Sequence, residues 1–284
     1  MSISTARLGL QGFRGLRRQP KRSRVGIEAG ETWLRFAQQS RREGGHPWSV
    51  AEAHLSPGRM DDSKETGRHL SRVVRGAGIS RGSAICAISS PAIDIFPLNL
   101  RTTGPGELDG LVVSQVREQL SYSIEKAVLD YAVLPDRVRR TGDDTTAVLA
   151  FAAPRALVES LLQTLERAGI VLDRLLTPAC VLAPTVAQSD PQSRHLLIAT
   201  GEDATSVSVV EGGYVLLERI LSWSLGSLIR HLQAELDLEE GQCRSLLTRT
   251  PLAETPDVQE EAVGTSERSL ESTLQEVLGP SFQE

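Results

Sequence analysis

Apolar and polar positions along the chain follow two periods, and the switches between them mark the elements. Residues 25–29, 32–39 and 47–54 carry the period-two pattern of strands. Glu28-Ala29-Gly30 separates the first two, and Arg41-Arg42-Glu43-Gly44-Gly45 turns into the third. A three-stranded meander is predicted. Residues 63–77 are polar with apolar points at Leu70, Val73 and Val74, which predicts an exposed helix. Ser83 to Ser89 is an unbroken run of small and apolar residues, the mark of a strand buried on both faces. The order to this point is β-β-β-α-β.

The next stretch departs from that order. Ile93 to Leu100 alternates like a strand, and Pro97, which has no N–H to donate, confines it to a sheet edge. A helix over 107–120 follows from Leu108, Leu111, Val112, Val116 and Leu120, which fall three or four apart on one stripe. Ala127 to Leu134 reads as a strand, Pro135 to Asp144 as a charged turn and Thr146 to Ala152 as a second buried strand. A strand–helix–strand insert, about residues 92–145, thus sits between two strands of the first sheet. Pro154 opens a helix striped by Leu157, Val158, Leu161, Leu162 and Leu165, and Gly169 closes it. A strand (Val171 to Leu176), a short helix (Ala179 to Ala187) and the turn Ser189-Asp190-Pro191 end a first lobe spanning 25–190.

The meander then restarts in a second lobe over 191–248. His195 to Thr200 is predicted as a buried strand, with further strands at Ser206 to Val210 and Tyr214 to Leu221, turned at Gly201 and Gly212-Gly213. Helices follow at about 225–236 and 238–247. The remainder, 249–284, is predicted as a mobile link rich in Pro, Glu and Thr and a last helix at 265–278. VGIEAGETWLRFA and LLIATGEDATSVSVV share one plan: apolar strand, small-Gly turn, polar pair, strand.

Composition narrows the function classes. The 284 residues are 40% hydrophobic and 24% charged, and only 4% are aromatic, so aliphatic side chains must fill the core. A net charge of −5 gives no footprint for nucleic acid, and Arg75, Arg81, Arg137, Arg139 and Arg140 lack aromatic neighbours on which bases would stack. No stretch has the length and apolarity of a membrane span, and no signal-peptide pattern opens the chain. Cys86, Cys180 and Cys243 form no CxxC pair and read as buried, reduced thiols of a cytoplasmic protein. The five His residues are scattered without metal-ligand spacing, and no P-loop, GxSxG or GxGxxG stands between a strand and a helix. Charge is uneven only in residues 1–24. There Arg7, Arg14, Arg17, Arg18, Lys21, Arg22 and Arg24 interleave with Leu8, Leu10, Phe13 and Leu16, and no acid is present. This segment is either a basic amphipathic stretch that lies on an anionic membrane surface or a solubilising tail.

Four stretches carry a family resemblance. They are VGIEAG; FPLNLRTTGPGELDGLVVSQVREQLSYSIEKAVLDYAVL; FAAPRALVESLLQTLERAGI; and LLIATGEDATSVSVVEGGYVLLERILSWSLGSLIRHLQAELDLEEGQC. By their order and spacing, residues 25–248 resemble the PilM family of actin-like proteins of type IV pilus assembly, and the related cytoplasmic part of type II secretion proteins. The resemblance implies an α/β, two-lobed actin-like ATPase (ribonuclease H-like) fold with duplicated β-β-β-α-β units and an inserted small subdomain. It also implies an incomplete second lobe. The family continues with another strand and a Gly-Gly loop that holds the nucleoside, whereas here the last helix runs into Pro280. Either the gene product lost that part or the sequence is a fragment.

In such folds two hairpins face each other across a cleft and cradle the phosphates of Mg-ATP. The matching positions are Glu28, Gly30 and Thr32 on the first hairpin and Gly201 and Thr205 on the second. Glu31 stands where the family has a small hydroxyl residue, and Ala199 where it has a metal-holding carboxylate. Glu202 and Asp203 add further charge where phosphate would approach. The expectation is a degenerate site with no cofactor and no catalysis, the alternative being an Mg-ATP-binding ATPase that gates assembly. A small-molecule kinase or a nucleotide-dependent filament would need the same lost groups. The resemblance further implies a cytoplasmic scaffold, peripheral at the inner membrane. Its partner would be a PilN-like bitopic inner-membrane protein, whose cytoplasmic N-terminal tail binds between the large and small subdomains. Leu111, Gln115, Leu120 and Tyr122 are the candidate lining residues; Leu111 and Leu120 equally suit plain packing of the small subdomain.

Overall fold

Val25, Ile27 and Ala29 point the alternate residues of β1 (Val25–Ala29) to one face, and all three are buried. The register extends that face across the neighbouring strands. Phe36 lies opposite Ile27 on antiparallel β2 (Trp33–Gln39), and Cys86 lies opposite Ile27 on parallel β4 (Ser83–Ile88). With β3 (Trp48–His54) and β8 (Val171–Leu176) they form a five-stranded sheet in the order β3-β2-β1-β4-β8. Helices α1 (Lys64–Gly76) and α3 (Arg155–Arg167) bring Leu70, Val74, Leu161 and Leu165 into the same core, all at most 1% exposed. Each such side chain stabilises the fold by about 1.5–3 kcal/mol. Gly169, at φ +79°, closes α3 as its sequence position requires. The computed structural model describes residues 24–39, 48–55, 64–80, 82–101, 106–135 and 145–249. The predicted turn at 41–45, most of the charged turn at 135–144, the basic segment to residue 23 and everything from 250 on lie outside them.

The insert is a unit of its own. Strands β5 (Asp94–Arg101), β7 (Thr145–Pro154) and β6 (Ala127–Val133) make an antiparallel sheet in the order β5-β7-β6. Helix α2 (Leu108–Gln119) covers one face, with Val112 and Val116 buried among Leu98, Leu100, Val148 and Ala150. Pro97 lies on an edge strand, as expected. The run at 146–152 does not belong to the first-lobe sheet, where the sequence put it. It forms β7, the central strand of the small sheet, so the insert extends to Pro154. The physical reason is that a strand buried on both faces reads the same in any sheet: Val148 and Ala150 face α2, while Leu149 joins the main core.

The second sheet has the order β11 (Tyr214–Leu221), β10 (Thr205–Glu211), β9 (Arg194–Thr200), which repeats β3-β2-β1. Helix α4 (Pro178–Ser189) lies between the lobes. Its Ala179 and Ala183 are buried in a core that the two lobes share, and it packs on β10 and β11. Helices α5 (Leu225–Leu236) and α6 (Glu240–Arg249) follow. One expectation fails here. β9 is not a buried strand, because Leu196 and Ile198 are 53% and 60% exposed. Among the described residues β9 is an edge with one covered face, on which His195, Leu197 and Ala199 are half-buried and Leu197 packs against the core.

Candidate nucleotide cleft and interlobe joint

The two hairpins close in the same way. The Gly30 N–H donates to the Trp33 carbonyl at 3.0 Å, and the Gly201 N–H donates to the Ala204 carbonyl at 2.8 Å. This shared turn sets Glu28 and Ala199 at equivalent places, two residues before each glycine. The tips meet. The Glu31 N–H donates to the Asp203 carboxylate at 2.7 Å, across 172 residues of chain. Gly30 makes this approach possible: a Cβ there would lie 2.3 Å from Asp203 Oδ2 and 2.5 Å from the Trp33 ring. Thr32 is half-buried and its carbonyl accepts from the Leu55 N–H at 2.6 Å. Thr205 is buried, and no partner reaches its hydroxyl among the described residues.

Glu28, Glu52 and Glu202 beside the cleft are paired within the protein. Arg35 lies 4.2 Å over the Trp33 ring, 3.6 Å from Glu28 and 2.6 Å from Glu52. The Arg35 hydrogen bond holds the Glu52 carboxyl below the usual carboxylate range. On the other hairpin Glu202 pairs with Arg244 of α6, which also reaches Glu240 at 2.8 Å. The N-terminus of α5, a natural place for an anion, is spent internally. Ser224 and Ser227 form a capping box at 2.8 and 3.0 Å. The Leu225 and Gly226 N–H groups donate to the carbonyls of Gly201 and Glu202, each at 2.9 Å. The five predicted residues are therefore brought to two facing turns, where the Gly30, Glu31 and Gly201 N–H groups donate within the protein. A phosphate approaching the first hairpin would meet the Asp203 carboxylate at the Glu31 N–H.

The predicted partner residues lie on α2 and just beyond it. Leu111 and Leu120 are half-buried against the small subdomain's own core. Gln115 is also half-buried, and its amide donates to Glu118 at 3.4 Å. Tyr122 lies near Asp94 and its hydroxyl is buried without a partner among the described residues; burial pushes it up to about 12. Leu111 and Gln115 lie one turn apart on one flank of α2, Leu120 is its C-cap about half a turn away around the axis, and Tyr122 follows it near Asp94 of β5.

A joint that sequence reading missed ties the lobes. Glu218, on β11, is fully buried. It accepts hydrogen bonds from the Thr177 hydroxyl, the Ala179 N–H at 3.2 Å and the Ser206 hydroxyl at 2.7 Å. Thr177 and Ala179 begin α4, so a second-lobe carboxylate caps the helix that enters the shared core. Burial nevertheless outweighs these donors and raises Glu218 above its ordinary value. Next to it, the Arg219 guanidinium donates to the Ile95 carbonyl of the small sheet. A carboxylate inside the apolar strand Tyr214–Leu221 was the available signal. The thiols are bystanders. All three cysteines are free, and burial pushes Cys86 up to about 12 and Cys180 to about 11.

No protein-family model matches this chain, and no curated protein matches it. Among solved structures it is similar to the PilM-PilN type IV pilus biogenesis complex, with a TM-score of 0.65 and 21% identity, over 81% of this chain and 70% of that one. The chain has the actin-like ATPase fold. Fainter likenesses include the cytoplasmic domain of EpsL, an inner-membrane component of the type II secretion system of Vibrio cholerae. Its TM-score is 0.48 and its identity 13%, over 77% of this chain and 78% of that one. A Bacteroides thetaiotaomicron protein with an actin-like ATPase fold and unknown function has a TM-score of 0.45 and 14% identity, over 77% and 79%. The two facing hairpins open the five-stranded and the β11-β10-β9 sheets, and the β5-β7-β6 sheet is a third, separate sheet. No helix among the described residues is long and apolar enough to cross a membrane.

Proposed function

We propose that this chain is a scaffold of a type IV pilus or type II secretion-like envelope assembly that docks the cytoplasmic tail of a PilN-like inner-membrane protein. It works on the cytoplasmic side, at the membrane surface, with residues 1–24 as an added weak contact. One observation carries the reading: the Asp203 carboxylate accepts from the Glu31 N–H of the first hairpin, so an anion of the protein itself occupies a donor that a phosphate would use. An ATPase needs that cleft open and a carboxylate where Ala199 stands; a scaffold needs neither. The likeness to the PilM-PilN complex supports the choice of partner.

In this reading the tail lies across Leu111, Gln115, Leu120 and Tyr122. Half-buried aliphatic side chains offer apolar contact area, and the Tyr122 hydroxyl, buried without a partner among the described residues, offers a hydrogen bond to a tail whose docking uncovers it. Titrating the purified chain with the tail peptide of a PilN-like protein tests this. Leu111→Glu and Leu120→Glu are expected to weaken binding at least about tenfold while circular dichroism stays native. Tyr122→Phe is expected to weaken it while leaving the free chain as stable or about 1 kcal/mol more stable, since it removes a buried unpaired hydroxyl. Unchanged tail binding in all three variants would place the tail elsewhere. A second reading, an Mg-ATP-binding protein that gates assembly, draws on the buried free hydroxyl of Thr205 at the second hairpin.

A further inference from the structure

We propose that Asp203 is a built-in stand-in for phosphate: its carboxylate latches the two hairpins together, so the cleft is held closed without any nucleotide. The inference rests on the reading of the cleft as a former phosphate site and adds what now holds it shut. In a phosphate cradle, backbone N–H groups of a glycine turn converge on an oxyanion. Here the Glu31 N–H, next to Gly30, donates to an oxyanion that the opposite lobe supplies, at the 2.7 Å of a charge-assisted hydrogen bond.

Three features fit a latch better than a chance surface contact. Gly30 leaves room for the carboxylate, since any Cβ would sit 2.3 Å from Asp203 Oδ2. The loop that carries Asp203 is fixed from behind, because α5 donates its Leu225 and Gly226 N–H groups to the Gly201 and Glu202 carbonyls. Gly226 is needed for that approach, as a Cβ there would meet the Glu202 carbonyl at 2.6 Å. From the side, Arg244 of α6 grips Glu202, the residue before Asp203. The latch thus joins the first hairpin to a rigid assembly of loop, α5 and α6. A free tetrahedral oxyanion, phosphate or pyrophosphate, is the ligand class that would compete with Asp203 for the same N–H.

Amide hydrogen exchange at Glu31, resolved by NMR, tests the proposal on the full chain. Asp203→Ala is expected to speed exchange there about tenfold, and millimolar inorganic phosphate to slow it again in the variant but not in the native chain. Asp203→Asn, which keeps an oxygen acceptor without the charge, is expected to fall between. Gly30→Ala, which wedges the turn against Asp203 and Trp33, is expected to speed exchange in a chain that keeps its carboxylate. Native exchange rates in Asp203→Ala would overturn the latch. Faster exchange that phosphate fails to slow, or native exchange that phosphate slows equally, would overturn the reading of Asp203 as a phosphate stand-in. None of these measurements involves the tail partner, so a failed latch and a failed scaffold reading are distinguishable.

Discussion

Glu218 shows how one side chain can hold two lobes together at a cost. Three donors converge on its carboxylate, two of them from the start of α4, yet burial still raises its pKa. The sign follows. Glu218 favours the folded chain most when protonated, below the ordinary carboxylate value of about 4.3. That contribution is lost as pH rises through the raised folded value. Glu218→Gln keeps an acceptor for Ala179 and Ser206 and offers an N–H to the Thr177 hydroxyl. It is therefore expected to flatten this part of the pH profile and to gain on the native chain as pH rises toward neutrality, read as the difference between their urea midpoints. Glu218→Ala leaves three buried donors unpaired and is expected to lose about 2–4 kcal/mol. Equal pH profiles for the native and Gln chains would show that Glu218 does not carry this dependence. Little of this was legible in the sequence. A Glu within an apolar strand flags an inward-facing charge, but its donors at 177–179 and 206 become neighbours only once the lobes pack.

At the level of elements, most boundaries follow from the chain itself. Alternation located β1, β2 and β3, Pro97 marked an edge, and the positive-φ Gly169 marked the end of α3. Two strands were misread for one reason: an apolar run reports burial potential and says nothing of what covers it. β7 is buried inside a different sheet from the one expected, and β9 carries Leu196 and Ile198 on a face that no described element covers. The cleft was half legible. The sequence places Glu31, Ala199, Glu202 and Asp203 on the two hairpins, but does not show that Glu31 and Asp203 would meet. Support for the second hairpin lies in the start of α5, and two substitutions measure it. Ser224→Ala removes the cap and is expected to cost about 1 kcal/mol. Gly226→Ala drives a methyl against the Glu202 carbonyl and is expected to cost about 1–3 kcal/mol, with faster exchange at the Leu225 amide. A Gly226→Ala chain as stable as the native one would mean that the hairpin and α5 separate freely.

At the scale of the whole molecule, the actin-like framework is present, and the proposal is that the chemistry of its cleft has been replaced. The sheet order, the repeated turn and the inserted small subdomain are present. Glu28, Glu202 and Asp203 are paired with Arg35, Arg244 and a backbone N–H, respectively. Calorimetric titration of the native chain with Mg-ATP, beside the Glu31→Ser, Ala199→Asp double variant, tests this most directly. The account predicts no heat of binding from the native chain, and measurable binding only where a hydroxyl and a metal-holding carboxylate have been restored. Saturable micromolar binding of Mg-ATP by the native chain would contradict it.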